Sequence, residues 1–246
     1  MLLLCVAAAA MGALYLLLRQ PQQAPPDFLE WPAGEQRKVQ FFEFLRPILE
    51  SRNEALLADR ARLEQIAAGL PDTRPGWFER RWLDDLARAY RLDPQAEPLE
   101  DLVAELLLRV DMVPVSLALA QAAKESGWGT SRFAVEGHAY FGQWCYEAGC
   151  GLVPLARGDA QRHEVMAFAS PEEAVTAYLM NLNSHPQYQA MRQQRARLRA
   201  SGERVSGFRL ATGLTSYSER RGAYVTEIQE LIRFNDLGPV PPKEQP

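Results

Sequence analysis

Residues 113–129 read Val-Pro-Val-Ser-Leu-Ala-Leu-Ala-Gln-Ala-Ala-Lys-Glu-Ser-Gly-Trp-Gly, and no other stretch constrains the chain as tightly. Pro114 suits a first helical turn, where its missing N–H costs nothing, and Asp111 just upstream can cap that end. Val115, Ala118, Ala122 and Glu125 then fall at i, i+3, i+7 and i+10, one stripe of a helix. Gly127 and Gly129 stop the helix just beyond. The stripe of small apolar residues predicts a buried face, and it ends in a carboxylate. Glu125 therefore lies in the last turn, near the negative end of the helix dipole and beside apolar neighbours. Both disfavour its ionised form, so its pKa is expected to be raised. A carboxylic acid still protonated near neutral pH is what a general acid needs. Spacing alone fits equally well a solvated residue at a helix end.

Upstream, residues 34–70 read as helix. Val39, Phe42, Leu45 and Leu49 recur at helical spacing, Pro47 is expected to break or kink the run, and Leu56, Leu57, Leu63 and Ile66 resume it. A turn cluster, Pro71-Asp72-Thr73-Arg74-Pro75-Gly76, precedes helices over 78–90 and 98–110. These helices carry apolar and aromatic stripes of the kind that build cores, with no paired catalytic residue types. Residues 35–110 are read as a helical layer packed against a catalytic part over 111–237.

Downstream, the texture changes over residues 137–168, which are rich in Gly, aromatic and short polar stretches. Residues 141–146 and 164–168 can each form a short strand of a small β-lobe. Cys145 and Cys150 lie in this lobe with four residues between them. A metal site would want more Cys or His ligands at close spacing than His138 and His163 supply. A disulfide pinning the lobe's tip fits an exported protein better, with free thiols as the alternative. Ser170-Pro171-Glu172-Glu173 starts a helix with a capping box, and His185-Pro186 ends it. Arg192, Arg195, Arg197, Arg199 and Arg204 read as a solvated helix face, the alternative being contact with anionic lipid or wall polymer. A last helix covers 220–234, and a Pro-rich tail, expected to be frayed, occupies 238–246.

With 246 residues, 47% hydrophobic and 24% charged, the chain can bury one good-sized domain plus appendages. A net charge of −4 supplies no basic field for nucleic acid. Residues 1–18 contain no charged side chain and are mostly Leu and Ala, with Arg19 following. As a helix they nearly match a bilayer core of roughly 30 Å. No Lys or Arg precedes the apolar run and no clear cleavage site ends it, so an uncleaved anchor over 1–19 is favoured over a signal peptide. Cys5 reads as a small apolar membrane residue. Residues 20–34 begin with a Pro-rich spacer.

Residues 116–131, Ser-Leu-Ala-Leu-Ala-Gln-Ala-Ala-Lys-Glu-Ser-Gly-Trp-Gly-Thr-Ser, resemble the catalytic helix of bacterial cell-wall glucosaminidases, glycoside hydrolase family 73. Tyr-Phe-Gly-Gln-Trp-Cys (140–145) and Tyr-Ser-Glu-Arg (217–220) resemble its Bax-like branch. The resemblance runs from about Pro114 to Asn235. It implies an α+β, mostly helical, lysozyme-like catalytic domain with a small β-lobe and extra N-terminal helices. It also implies hydrolysis of the β-1,4 bond after N-acetylglucosamine in peptidoglycan glycan strands, with no metal or organic cofactor. Such chemistry needs an acid on the leaving oxygen, and a base or a nucleophile opposite. Glu125 is the acid. Glu164, ahead of Phe168 and Ser170, best matches the family's second acidic residue, with Glu147 as the competitor. Tyr217 resembles the loop tyrosine that faces the sugar. Phe141 and Trp144 are candidates for a flat wall under a sugar ring, with Gly142 and Gln143 between them. Two places depart from the family pattern: Ala139 stands where Asn is usual, and the Gly after Tyr-Ser-Glu-Arg comes one place late, as Gly222. The implied setting is the periplasm, with a monomeric enzyme held to the inner membrane by its N-terminal helix.

Overall fold

The computed structural model describes residues 24–240, apart from residues 97, 156 and 158–161. Its first long element is α1 (Glu35–Gly69), about 52 Å of helix at 1.5 Å per residue. The break expected at Pro47 does not occur. Proline removes one N–H and crowds the carbonyl four residues back. Here Pro47 is exposed, while Phe41, Phe42, Leu45, Leu49 and Asn53 are buried on both sides of it along the chain. Tertiary packing overrides the local penalty.

Helices α2 (Trp77–Ala89) and α3 (Leu99–Arg109) follow. They close an apolar cluster with the second half of α1, built from Leu63, Leu83, Tyr90, Leu102 and Leu106 among others. The first half of α1 belongs to a larger cluster around α4 (Val115–Ser126). One helix therefore serves both cores. Asn53 of α1 fixes the approach to α4: its amide donates to the Val113 carbonyl at 2.8 Å, and its oxygen accepts from the Val113 N–H at 3.1 Å.

Helix α4 is the centre of the molecule. Every residue from Ser116 to Ala123 is buried, and a buried Leu such as Leu117 or Leu119 stabilises the fold by roughly 1.5–3 kcal/mol relative to exposure. After α4 come α5 (Arg132–Gly137), β1 (Trp144–Cys145), β2 (Gly151–Leu152), β3 (Glu164–Met166), α6 (Pro171–Ser184), α7 (Gln189–Ala200), α8 (Gly207–Leu210) and α9 (Gly222–Phe234). Helices α1, α8 and α9 pack on α4. The approach of α8 requires a glycine, because a Cβ on Gly207 would stand 2.3 Å from Ser116 Oγ.

The small lobe is a three-stranded antiparallel sheet in the order β1-β3-β2. Trp144 pairs with Val165, Cys145 with Glu164, Gly151 with Met166 and Leu152 with Val165. The two-residue strand β2 was absent from the sequence reading. A disulfide joins Cys145 to Cys150 and closes the turn between β1 and β2.

Four expectations are corrected. Asp111 does not cap α4; Pro114 occupies that place, and the Asp111 carboxylate is buried among Arg60, Arg195 and Arg199. The arginine run is not a solvated face, since Arg192 and Arg195 are fully buried and Arg199 pairs with Asp111 at 2.5 Å. Only Arg197 and Arg204 of that run are exposed without such a role. The tail is ordered at its start, where Gly238 lies against Ser116 and Val240 packs on the main core. Residues 28–30, expected within the spacer, form a 3-10 turn whose Phe28 enters the core. Among the described residues no helix is long and apolar enough to cross a membrane. The anchor expected over 1–19 lies outside them, as do residues 241–246.

Candidate active site

Helix α4 ends one residue after Glu125. Gly127 takes the left-handed conformation (φ +58) and its N–H bonds the Ala123 carbonyl. Trp128 and Gly129 continue with φ +61 and +77. Ser126 pins this turn, its hydroxyl donating to the Ala122 carbonyl and accepting from the Gly129 N–H. The Trp128 ring meets Phe41 and Phe42 edge-on, while a Cβ on Gly129 would overlap the Phe28 ring at 2.3 Å. The turn that exposes Glu125 is thus packed from below.

The Glu125 carboxyl is half-buried and its pKa is raised. Burial is the main cause, and the Glu227 carboxylate pushes the same way. A hydrogen bond from Tyr224 and the Lys124 ammonium pull in the opposite direction. Four tyrosines surround it. Tyr224 of α9 lies close enough for its hydroxyl to lower the Glu125 pKa, while Tyr178 of α6, Tyr188 of the following 3-10 turn and Tyr217 all lie close enough for its charge to raise their own pKa values. The raised acid that the sequence predicted is present.

Gly142 lies against this carboxyl. At φ +63 it has no side chain, and a Cβ there would stand 3.5 Å from Glu125 Oε2. The Tyr-Phe-Gly-Gln-Trp segment therefore crosses the acid at its glycine. The ring of Phe141 faces the interior, 2% exposed and stacked on Tyr178 with centroids 3.9 Å apart. It offers the site a carbonyl rather than the flat wall expected of it. That carbonyl accepts the Tyr217 hydroxyl at 2.9 Å. The Tyr217 ring stacks on Tyr224 at 5.3 Å, which places Tyr217 over the helix that contacts Glu125. Gln143 points its amide to the Ala177 carbonyl, leaving its buried Oε1 without a hydrogen-bond partner among the described residues. Trp144 is 56% exposed, with one face on the His163 ring at 4.2 Å. Its other face is the open aromatic surface of this segment.

Glu164 is engaged elsewhere. Its carboxylate accepts the N–H groups of Gly149 and Gly151 at 3.2 and 2.9 Å, and these bonds hold its pKa low. Both oxygens thus brace the disulfide loop, and Glu164 is not among the charges that shift Glu125. Glu147 is exposed on the same loop. Cys145, Cys150 and Glu164 lie close together, but the two sulfurs are joined in the disulfide and cannot act as thiolate ligands.

Sequence reasoning did not single out Gln121, Lys124, Tyr224 or Glu227 as site residues. Gln121 is the one polar side chain in the Leu117–Ala123 run, four residues before Glu125, which was a usable signal. Glu227 reaches the site only through folding: it pairs with Lys124 at 2.5 Å and with Arg220 of the Tyr217 loop at 3.0 Å.

A mostly helical domain, a small antiparallel lobe and one desolvated glutamate at the end of the buried helix make up a lysozyme-like architecture. Residues 101–237, more than half of the chain, match the glucosaminidase family, described as mannosyl-glycoprotein endo-beta-N-acetylglucosaminidase, and the chain belongs to that family. It is similar to Protein bax of Escherichia coli (strain K12), with 33% identity over 213 residues, covering 85% of this chain and 74% of that one. No solved structure matches.

Proposed function

We propose that this protein hydrolyses the β-1,4 bond after N-acetylglucosamine in peptidoglycan, with Glu125 as the general acid. The observation that carries the reading is the Glu125 carboxyl, its pKa raised chiefly by burial, lying against a residue without a side chain. A protonated Glu125 can deliver its proton to the leaving glycosidic oxygen as the oxocarbenium-like transition state develops. Trp144 supplies a flat apolar face for a sugar ring, and backbone around Gly142 allows that ring close approach. Tyr217 keeps lone pairs on its hydroxyl oxygen while donating to Phe141. It can therefore accept from the acetamido N–H or from the attacking water.

Glu164 remains the candidate for the second group, ionised across the neutral range, with Glu147 behind it. To act as base or nucleophile, Glu164 must turn a remaining lone pair toward water or sugar from oxygens that the loop N–H groups already hold. That engagement supports a second reading, a lytic transglycosylase, which needs only one carboxylic acid and ends in an anhydro sugar. The apolar residues 1–18 and the disulfide support a periplasmic location with an inner-membrane tether, which would be read as sedimentation of the protein with inner membranes. A digest of purified peptidoglycan analysed by mass tests the reaction. Products with N-acetylglucosamine reducing ends and one added water support it. Anhydro products support the transglycosylase, and tight binding with no released ends would leave a wall-binding module.

A further inference from the structure

We propose that Gln121 is a positioning residue that acts through Tyr224, holding the Tyr224 hydroxyl as a hydrogen-bond donor to Glu125. The proposal rests on the reading of Glu125 as the acid and adds how that acid is tuned.

Gln121 is completely buried in the middle of α4. A buried amide persists where its donors and acceptors are met, and here both ends are. The Tyr178 hydroxyl of α6 donates to its Oε1 at 2.7 Å, and its Nε2 donates to the Tyr224 hydroxyl oxygen of α9 at 2.9 Å. Tyr224 has a single hydroxyl hydrogen. With its oxygen accepting from Gln121, that hydrogen is free to turn to the Glu125 carboxyl, whose pKa Tyr224 lowers. The chain Tyr178 to Gln121 to Tyr224 to Glu125 crosses three helices and has one polarity. The stacked Tyr217 ring holds the Tyr224 ring in place at 5.3 Å.

The polarity matters to the chemistry. When Glu125 is protonated, a donor from Tyr224 meets its carbonyl oxygen. When the proton passes to the leaving oxygen, the same donor meets a carboxylate, and hydrogen bonds to charged groups are about twice as strong. The bond thus strengthens as the proton leaves, which favours the transition state over the bound substrate. It also offsets part of the desolvation that raises the pKa. The other groups facing Glu125 are Lys124 on its own helix, Glu227 on α9, Tyr217 on its loop, Tyr178 on α6 and Tyr188 in the adjoining turn. Lys124 and Glu227 neutralise one another at 2.5 Å, so Tyr224 is the strongest influence lowering the Glu125 pKa.

The test is a direct titration of the Glu125 side chain by carbon NMR in full-length protein labelled at the glutamate carboxyl carbon, assigned with Glu125→Gln. Tyr224→Phe keeps the stacked ring and removes the hydroxyl, both the donor to Glu125 and the acceptor of the Gln121 amide. It is expected to move the Glu125 titration to higher pH, and kcat is expected to fall roughly tenfold with KM little changed. Gln121→Met, similar in volume, is expected to shift the titration the same way. The double variant should shift no further than Tyr224→Phe alone, because Gln121 acts through Tyr224. Should Gln121→Met fail to fold, the direction given by Tyr224→Phe decides alone. A shift to lower pH in Tyr224→Phe would mean that Tyr224 accepts from a neutral acid, and would overturn the proposal. An unmoved titration in a folded Gln121→Met, or fully additive shifts, would overturn it as well. Because the titration is read without turnover, a catalytic role for another residue would leave its outcome intact.

Discussion

Gly142 and Glu125 stand within van der Waals reach, and each limits the other. An alanine at 142 would hold a left-handed conformation at a cost of about 1 kcal/mol and set a methyl 3.5 Å from Oε2. Gly142→Ala is therefore expected to lower the melting temperature slightly and kcat by about tenfold or more, read by thermal unfolding and a glycan-release assay. Glu125 itself carries a stability cost. Its folded-state pKa lies above the unfolded value, so its contribution to stability is complete in acid and is lost as pH rises through the folded pKa. Glu125→Gln should thus be at least as stable as wild type at neutral pH, with the advantage vanishing in acid. Activity should follow the same group: it falls as pH rises through the raised Glu125 pKa, because the transferable proton is gone. At Arg221, φ is +45 and ψ −112, at the position where the resemblance implies Gly. Arg221→Gly is expected to raise stability by about 1 kcal/mol in chemical denaturation. At this scale Glu125 was legible, since a helical stripe places a side chain without further information. Tyr224 was not: periodicity shows which way a ring faces, and nothing in it shows where the hydroxyl ends.

Between elements, two devices hold the site. Asp111, just before α4, takes Arg199 on both oxygens at 2.6 and 2.5 Å and lies 3.5 Å from Arg60 and Arg195. Arg195 also donates to the carbonyls of Leu108, Arg109 and Met112 at 3.2, 3.1 and 2.9 Å, satisfying the end of α3. Removing one partner of a buried network leaves a charge uncompensated. Asp111→Asn is expected to cost roughly 3–5 kcal/mol, measured by urea unfolding. In the β-lobe the disulfide closes a short loop that Glu164 braces from inside. Cys145→Ser with Cys150→Ser should cost about 2 kcal/mol on a chain-entropy account, and protein isolated without reductant should show no alkylatable thiol at either position. The sequence reading of the arginines failed for a physical reason. Alternating charge along a helix looks solvated until carbonyl ends and a lone Asp from elsewhere in the chain converge on it. Pro47 misled likewise, because a local penalty was weighed without the packed stripe opposite.

Across the whole molecule, α1 passes from the cluster formed with α2 and α3 into the core around α4. The helical layer and the catalytic part are therefore bound by a shared element. The mostly helical class, the central helix and the small lobe could be read from periodicity and glycine placement. The convergence of α4, α6, α9 and the Tyr217 loop on one carboxyl could not, because it depends on contacts far apart in sequence. The family is established by the match over residues 101–237, and the central claim is that Glu125 is its acid in this chain. The most direct test is the rate of reducing-end release from purified peptidoglycan by wild type and Glu125→Gln at equal concentration. General acid catalysis is worth ~10²–10⁴ in rate, so the variant should be at least ~10²-fold slower while remaining folded and glycan-binding. Release at a near wild-type rate by Glu125→Gln would contradict the account.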